Sequence, residues 1–112
     1  MSKIPESVMI EVRLRSGDSC EILECRRKDW RGLQYAHIIH RGIGGRNGDA
    51  EKIINNSRNL AHLCCYHHDV LDRRVWDPAL RAEMLETLKL KIGWYEWAEE
   101  ARAKGINIGR IE

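Results

Sequence analysis

Histidine and cysteine, the side chains best suited to proton transfer and to binding transition metals, are concentrated in short segments of this chain. Two of its five histidines lie in "AHIIHRG" (36–42), and two more end the segment "LCCYHH" (63–68). The first segment is either a buried strand that happens to contain histidine or half of a reaction centre. The second combines thiols with imidazoles, which is typical of a metal site.

The four cysteines form two groups, Cys20 with Cys25 and Cys64 with Cys65. A structural zinc ion takes four Cys or His ligands in a tetrahedron, and the spacing of Cys64 and His67 is the usual one for a zinc knuckle. Cys65 would chelate poorly beside Cys64, because neighbouring side chains on a strand point apart. We therefore predict a structural Zn²⁺ site formed by Cys20, Cys25, Cys64 and His67. The alternative is a set of buried cysteines without a metal.

His68 is left over by that site. On a helix its ring is rotated by about 100° from that of His67, so the two rings face different ways. Asp72 follows four residues later on the same helical face, and an imidazole and a carboxylate at this spacing could hold one cation. From these two residues alone, an exposed His–Asp pair is the simpler interpretation.

Composition and length indicate one small globular domain, with 112 residues of which 43% are hydrophobic and 32% charged. No apolar run approaches the roughly 20 residues needed to span a membrane. The N-terminal residues 1–18 lack the pattern of a secretory signal. We therefore expect a cytoplasmic protein without a membrane partner.

The net charge of +2 does not by itself indicate nucleic acid. Clustered basic residues either contact phosphate or form a solvated face, and they are Arg26, Arg27, Lys28, Arg41, Arg46, Arg73 and Arg74.

The sequence pattern predicts that helices and two strands position these groups, which makes the chain an α+β protein. We expect, in order, a helix over 5–16, a thiol turn, a strand in "GLQYAHII" (32–39), a glycine-rich loop over 40–58, a strand with alternating burial in "NLAHLC" (59–64) and a helix beginning in "YHHDVLDRR" (66–74). The two strands must be antiparallel if they pair across the loop. The domain would have its core at about 17–75 and a helical extension at about 77–105.

The extension has its own helix signals. Asp77 and Pro78 form a cap and first turn, and Gly93 is expected to break or bend the helix before it resumes and ends at Gly105. Its apolar stripe, expected to face the core, is Leu80, Met84, Leu85, Leu88 and Ile92. Three aromatic residues follow and could stack on bases, although closing a small core or a dimer interface is the preferred interpretation. They are Trp94, Tyr95 and Trp97.

The segments "AHIIHRG" and "NLAHLCCYHHDVLD", with a cysteine pair before them, resemble the HNH endonuclease family, which has the ββα-metal (His-Me finger) fold. The resemblance covers residues from about 20 to 72, and the chain is also similar to small phage- or prophage-like members. It implies an enzyme that hydrolyses DNA phosphodiester bonds with a catalytic Mg²⁺ or Mn²⁺ (magnesium or manganese), besides the structural zinc. One such site could nick DNA as a monomer or cut both strands as a homodimer.

The resemblance also implies roles for individual residues. His37 matches the general base, and Asn59 matches the residue that orients the loop and the base. His68 and Asp72 match ligands of the catalytic cation. Arg41 would lie near the scissile phosphate, and His40 and Arg46 are further candidates for contact with the substrate.

One position departs from the family pattern. Many members have a histidine or aspartate directly before the base, where it also binds the cation, whereas this chain has Ala36. The alternative is therefore a non-catalytic, zinc-stabilised module that binds nucleic acid.

Overall fold

The computed structural model describes residues 4–22, 25, 32–39 and 53–105. This part of the chain forms a small α+β fold with four α-helices and a two-stranded antiparallel sheet, so the predicted class is confirmed. The elements are α1 (Glu6–Ser16), β1 (Gln34–His37), a 3₁₀ turn (Ser57–Asn59), β2 (Leu60–Leu63), α2 (Cys65–Leu71), α3 (Pro78–Ile92) and α4 (Trp94–Ala103). Among these described helices, none is both long and apolar enough to cross a membrane.

Capping residues set the ends of the helices much as the sequence predicts. α1 ends at Gly17, whose φ of +65° lies in the left-handed region that favours glycine. α3 begins where the Asp77 carboxylate accepts a hydrogen bond from the Leu80 N–H, with Pro78 in the first turn. Gly93, with a φ of +75°, separates α3 from α4, so the predicted interruption is confirmed.

The two strands pair antiparallel, as predicted, with Ala36 opposite Ala61 and His37 opposite Leu60. The predicted alternation of burial along the second strand is wrong, because all four residues of β2 are buried. Ala61 belongs to a core cluster with residues of α2 and α3, while His62 meets Ser16 of α1 on the other side. Helices therefore cover both faces of β2.

One core cluster joins the hairpin to the two helices that follow it. Its buried members are Ala36, Ala61, Leu63, Val70, Leu71, Met84 and Leu88. The predicted stripe of α3 faces inward at Met84, Leu88 and Ile92, which are buried, while Leu80 and Leu85 are half-buried. Burial of this stripe fixes α3 across the hairpin and α2.

A second core cluster is built around α4. Its buried members are Ile54, Ile92, Trp94, Trp97, Ala98 and Ala101. Trp94 and Trp97 are almost completely buried, so the preferred interpretation of these two residues as core is confirmed. Ile53 and Ile54 have helical backbone and Ile54 is buried, so the prediction of a loop up to residue 58 is wrong at this point.

A partly buried ion pair joins α1 to β2. Arg15 donates two hydrogen bonds to the Glu21 carboxylate, at 2.8 and 2.7 Å, and a third to the Leu60 carbonyl oxygen at 2.6 Å. The Glu21 carboxylate also accepts a bond from the His62 N–H at 2.8 Å. Burial by itself would raise the pKa of Glu21, but the bonds from Arg15 and His62, with the charges of Arg15 and Lys91, outweigh it and lower that pKa.

The Glu21→Gln variant should therefore lose stability in a pH-dependent way. Because the folded-state pKa of Glu21 is lowered, the carboxylate stabilises the fold fully above its unfolded pKa of about 4.3, and this contribution disappears as the pH falls through the folded value. In excess zinc we expect the variant to be less stable by about 2 kcal/mol at about pH 7, with a smaller difference at about pH 4.5, near the unfolded pKa. Urea denaturation measures both values, and the exposed Glu11→Gln change on α1 is the control. A difference that stays constant with pH would contradict this assignment.

Candidate metal centre and reaction site

The four predicted zinc ligands come together beside the first turn of α2. Cys64 directly follows β2 and occupies the N-cap position of α2, and His67 lies in the first turn of that helix. Cys20 and Cys25 come from the segment that follows α1. The ligating atoms of all four residues lie within 4.8 Å of one another, so the predicted cluster is confirmed.

Three distances within this cluster are close to the edges of a tetrahedral metal site. The Sγ atoms of Cys25 and Cys64 are 3.8 Å apart. His67 Nδ1 lies 3.6 Å from Cys20 Sγ and 3.2 Å from Cys64 Sγ. Zn–S bonds of about 2.3 Å and a Zn–N bond of about 2.0 Å give tetrahedral edges of about 3.8 and 3.5 Å. Three thiols and an imidazole are also donors that zinc prefers, so the cluster could bind a metal ion such as zinc.

Burial affects the thiols of Cys20 and Cys64 in the cluster. Burial raises the pKa of Cys20 to about 12, and it also raises the pKa of Cys64. Metals bind the thiolate form of cysteine. Loading the cluster with a dication should therefore release protons from these thiols.

Cys65 and His62 lie outside the cluster. Cys65 is buried, and its thiol donates to Asp69 Oδ2 at 3.7 Å, so its predicted exclusion from the metal site is confirmed. The ring of His62 stacks on Tyr35 with centroids 4.9 Å apart, and its Nδ1 is 2.7 Å from Ser16 Oγ. Burial lowers the pKa of His62. These contacts give His62 a packing role between the hairpin and α1.

His37, the last residue of β1, is held by an asparagine that the sequence did not single out. His37 Nε2 lies 2.7 Å from Asn55 Oδ1, and Asn55 is buried. An amide oxygen can only accept a hydrogen bond, so in this contact Nε2 carries the ring proton. Asn55 lies at no characteristic spacing from His37, and only the folding of the chain brings them together.

Asn59 is fully buried and fixes the backbone just beyond His37. Its Oδ1 accepts from the Ile39 N–H at 2.9 Å, and its Nδ2 donates to the carbonyl oxygens of Ile39 and Ile54 at 3.0 and 2.9 Å. The Trp94 indole N–H also donates to Oδ1, at 3.2 Å. One amide thus ties the segment after β1 to the start of α4.

His68 and Asp72 face each other at the end of α2. His68 Nε2 is 3.1 Å from Asp72 Oδ2, and the two side chains are only 20% and 16% exposed. Asp72 is the C-cap of α2 rather than a residue within the helix, because the next residue, Arg73, has a φ of +63°. The other ring nitrogen of His68, Nδ1, is hydrogen-bonded to Gln34 Oε1. Gln34, like Asn55, was not singled out from the sequence.

Of the basic residues predicted to contact phosphate, the structure describes Arg73 and Arg74. His40, Arg41 and Arg46 lie outside the described residues, as do Arg26, Arg27 and Lys28. Arg73 and Arg74 are described and exposed, directly after the candidate cation pair. The Arg74 guanidinium is 3.5 Å from the Asp69 carboxylate.

Within the described residues, the predicted site residues other than Asn59 fall into the zinc-type cluster, the His37–Asn55 pair and the Gln34–His68–Asp72 group. Comparison of the chain with protein-family models, curated proteins and solved structures gave no match.

Proposed function

We propose that this protein is a metal-dependent HNH endonuclease with a ββα-metal core, hydrolysing phosphodiester bonds in DNA. The observation that carries the proposal is the placement of two histidines. His37 is oriented by a buried amide at the end of β1, and His68 is paired with Asp72 on the helix that follows β2. The resemblance assigns the base and the cation ligands to these positions.

The order and connection of the elements support this assignment. β1 and β2 form an antiparallel hairpin, and α2 begins two residues after β2 ends. The zinc-type cluster includes Cys64 and His67 at the start of α2, so a bound zinc would fix this helix against the segment after α1. A two-stranded hairpin is marginal by itself, and a structural metal is a common way to stabilise so small a core.

His37 would act as the general base. The pKa of a histidine lies near working pH, so an imidazole at this position would suit proton transfer from the attacking water. Asn59 would keep the segment after β1 in place through its two bonds to Ile39. In the proposed reaction His37 accepts a proton of water, the water oxygen bonds to phosphorus, and the bond to the 3′-oxygen breaks. The 3′-oxygen leaves with the bonding electrons and takes a proton from solvent water.

The His68–Asp72 pair has donor atoms that fit a hard divalent cation. Its nitrogen and oxygen are 3.1 Å apart, close to the edge of about 3.0 Å in an octahedral shell with bonds of about 2.1 Å. Mg²⁺ or Mn²⁺ held there would supply positive charge to the phosphate oxygens and the leaving group.

Removing the Asn55 acceptor should slow cleavage without preventing binding. We expect Asn55→Leu to lower the single-turnover rate by about tenfold, because His37 can then turn or carry its proton on the other nitrogen. Asn55→Asp keeps an oxygen acceptor and should retain most of the rate. Asn56→Ser, a change at the neighbouring cap of the 3₁₀ turn, is the control. Equal rates for Asn55→Leu and the wild type would contradict a role for Asn55.

The proposed function is tested with zinc-loaded protein and supercoiled plasmid, with and without Mg²⁺ or Mn²⁺. Cation-dependent conversion to open-circular DNA would support nicking by one site at a time. Conversion to linear DNA would support cleavage of both strands, as a homodimer would allow. DNA binding without cleavage under every cation would refute the enzyme. It would support the second candidate, a non-catalytic zinc-stabilised module, which the buried, ligand-free Ala36 favours.

A further inference from the structure

Gln34 contacts the candidate cation pair from the strand side. It is the first residue of β1 and lies opposite Leu63 in the hairpin. Its Oε1 is hydrogen-bonded to His68 Nδ1. We propose that Gln34 is a positioning residue of a divalent-cation site, fixing the tautomer of His68 so that Nε2 binds the cation together with Asp72. The inference rests on the proposed function for the assignment of a cation to His68 and Asp72.

The hydrogen-bonding capacities of the three side chains lead to this tautomer. An amide oxygen only accepts, so the ring proton of a neutral His68 lies on Nδ1, and Nε2 carries a lone pair. Nε2 faces Asp72 Oδ2 at 3.1 Å, and a carboxylate oxygen is also an acceptor. A divalent cation held by both atoms would supply the positive charge that offsets the repulsion between these two acceptors.

Because Ala36 has no atom that can bind a cation, β1 would serve the cation site through Gln34. Side chains two residues apart on a strand point to the same face, so Gln34 and Ala36 share the face of β1 that α2 covers. Ala36 is 1% exposed and has no ligand atom. β1 would therefore contribute to the cation site by orienting His68 rather than by adding a ligand. His37 lies on the opposite face and is held separately by Asn55.

Cation binding without DNA tests this role. Zinc-loaded full-length protein is titrated with Mn²⁺, and the free ion is measured by electron paramagnetic resonance. An acceptor on the second nitrogen of a metal-binding histidine is worth about 10- to 100-fold in affinity, so Gln34→Leu should weaken Mn²⁺ binding by that factor. Gln34→Glu keeps the oxygen and should bind within about threefold of the wild type. Tyr35→Phe, on the opposite face of β1, should bind as the wild type does.

The tautomer itself gives a second measurement. Two-bond ¹H–¹⁵N spectra of zinc-loaded, Mn²⁺-free protein at about pH 8, above the usual histidine pKa, should show the His68 proton on Nδ1. In Gln34→Leu the proton should move to Nε2, where it can be donated to Asp72. A wild-type proton on Nε2 would overturn the inference. So would Mn²⁺ affinity that is unchanged in Gln34→Leu but abolished in His68→Ala.

The outcomes separate this inference from the proposed function. Wild-type protein that binds Mn²⁺ through His68 and Gln34 but leaves plasmid intact would refute the endonuclease and support the cation site. Wild-type protein that binds no Mn²⁺ at millimolar concentration would overturn the role of Gln34. Gln34→Glu that binds as weakly as Gln34→Leu would also overturn it, because the oxygen acceptor would then not be what matters.

Discussion

Replacing Cys64 with serine should release the bound zinc and unfold most of the chain. Cys64 lies at the junction of β2 and α2, and its thiol is within 3.8 Å of Cys25 Sγ and 3.2 Å of His67 Nδ1. Structural zinc contributes about 10–16 kcal/mol to the folding of small zinc domains, which is more than the total stability of most domains this size. Metal analysis should find about one zinc per chain in the wild type and almost none in the variant. Circular dichroism should show the loss of helix.

Cys65→Ser is the matched control for this experiment. The two cysteines are adjacent in sequence and both buried, but the Cys65 thiol faces Asp69 rather than the cluster. Cys65→Ser should therefore keep its zinc and its helical content. Cys25→Ser removes a ligand from the other side of the cluster and should behave like Cys64→Ser. Undiminished zinc in Cys25→Ser and Cys64→Ser would refute the assignment.

The second large effect is expected at His37. A positioned general base contributes about 10²- to 10⁴-fold to a reaction rate, so His37→Ala should lower the single-turnover cleavage of plasmid by that factor. The change removes the only ring that the Asn55 amide oxygen is seen to hold within the described residues. His37→Gln can still bond to Asn55 but has no group that takes a proton near neutral pH, so it should be as slow as His37→Ala.

Three measurements show whether a His37 variant has lost the chemical step rather than its fold or its affinity for DNA. Both His37 variants should keep about one zinc per chain, the wild-type thermal midpoint to within a few degrees, and the wild-type affinity for uncut plasmid. Loss of affinity together with rate would assign His37 to substrate binding instead. Cleavage by His37→Ala at the wild-type rate would rule out His37 as the base.

The zinc-type cluster could be predicted from the sequence because ligand chemistry is local. Cys64 and His67 lie within one turn of chain, their side chains are among the few that bind zinc, and only one further cysteine pair was available to complete the set. The helix boundaries at Asp77 and Gly93 were predictable for a similar reason, since each depends on the conformational preference of a single residue.

The contacts that orient the two histidines could not be predicted in this way. Gln34 and His68 are 34 residues apart, and His37 and Asn55 are 18 apart. Amide side chains have no spacing rule that would identify such partners, and only the packing of α2 and of the segment before β2 brings them into contact. The error at β2 has the same origin. Its burial pattern depends on α1 covering the second face, which the strand's own residues do not encode.

The hydrogen bond from Trp94 to Asn59 limits how far this protein can be shortened. A fragment that stops near residue 75 would keep all five histidines and all four cysteines. It would nevertheless lose the Trp94 indole that donates to Asn59. It would also expose Ile54, which packs against Trp97 and Ile92 and directly precedes the Asn55 that holds His37. Although the chemical groups are concentrated in the first two thirds of the chain, the smallest unit that keeps their arrangement therefore has to include α4.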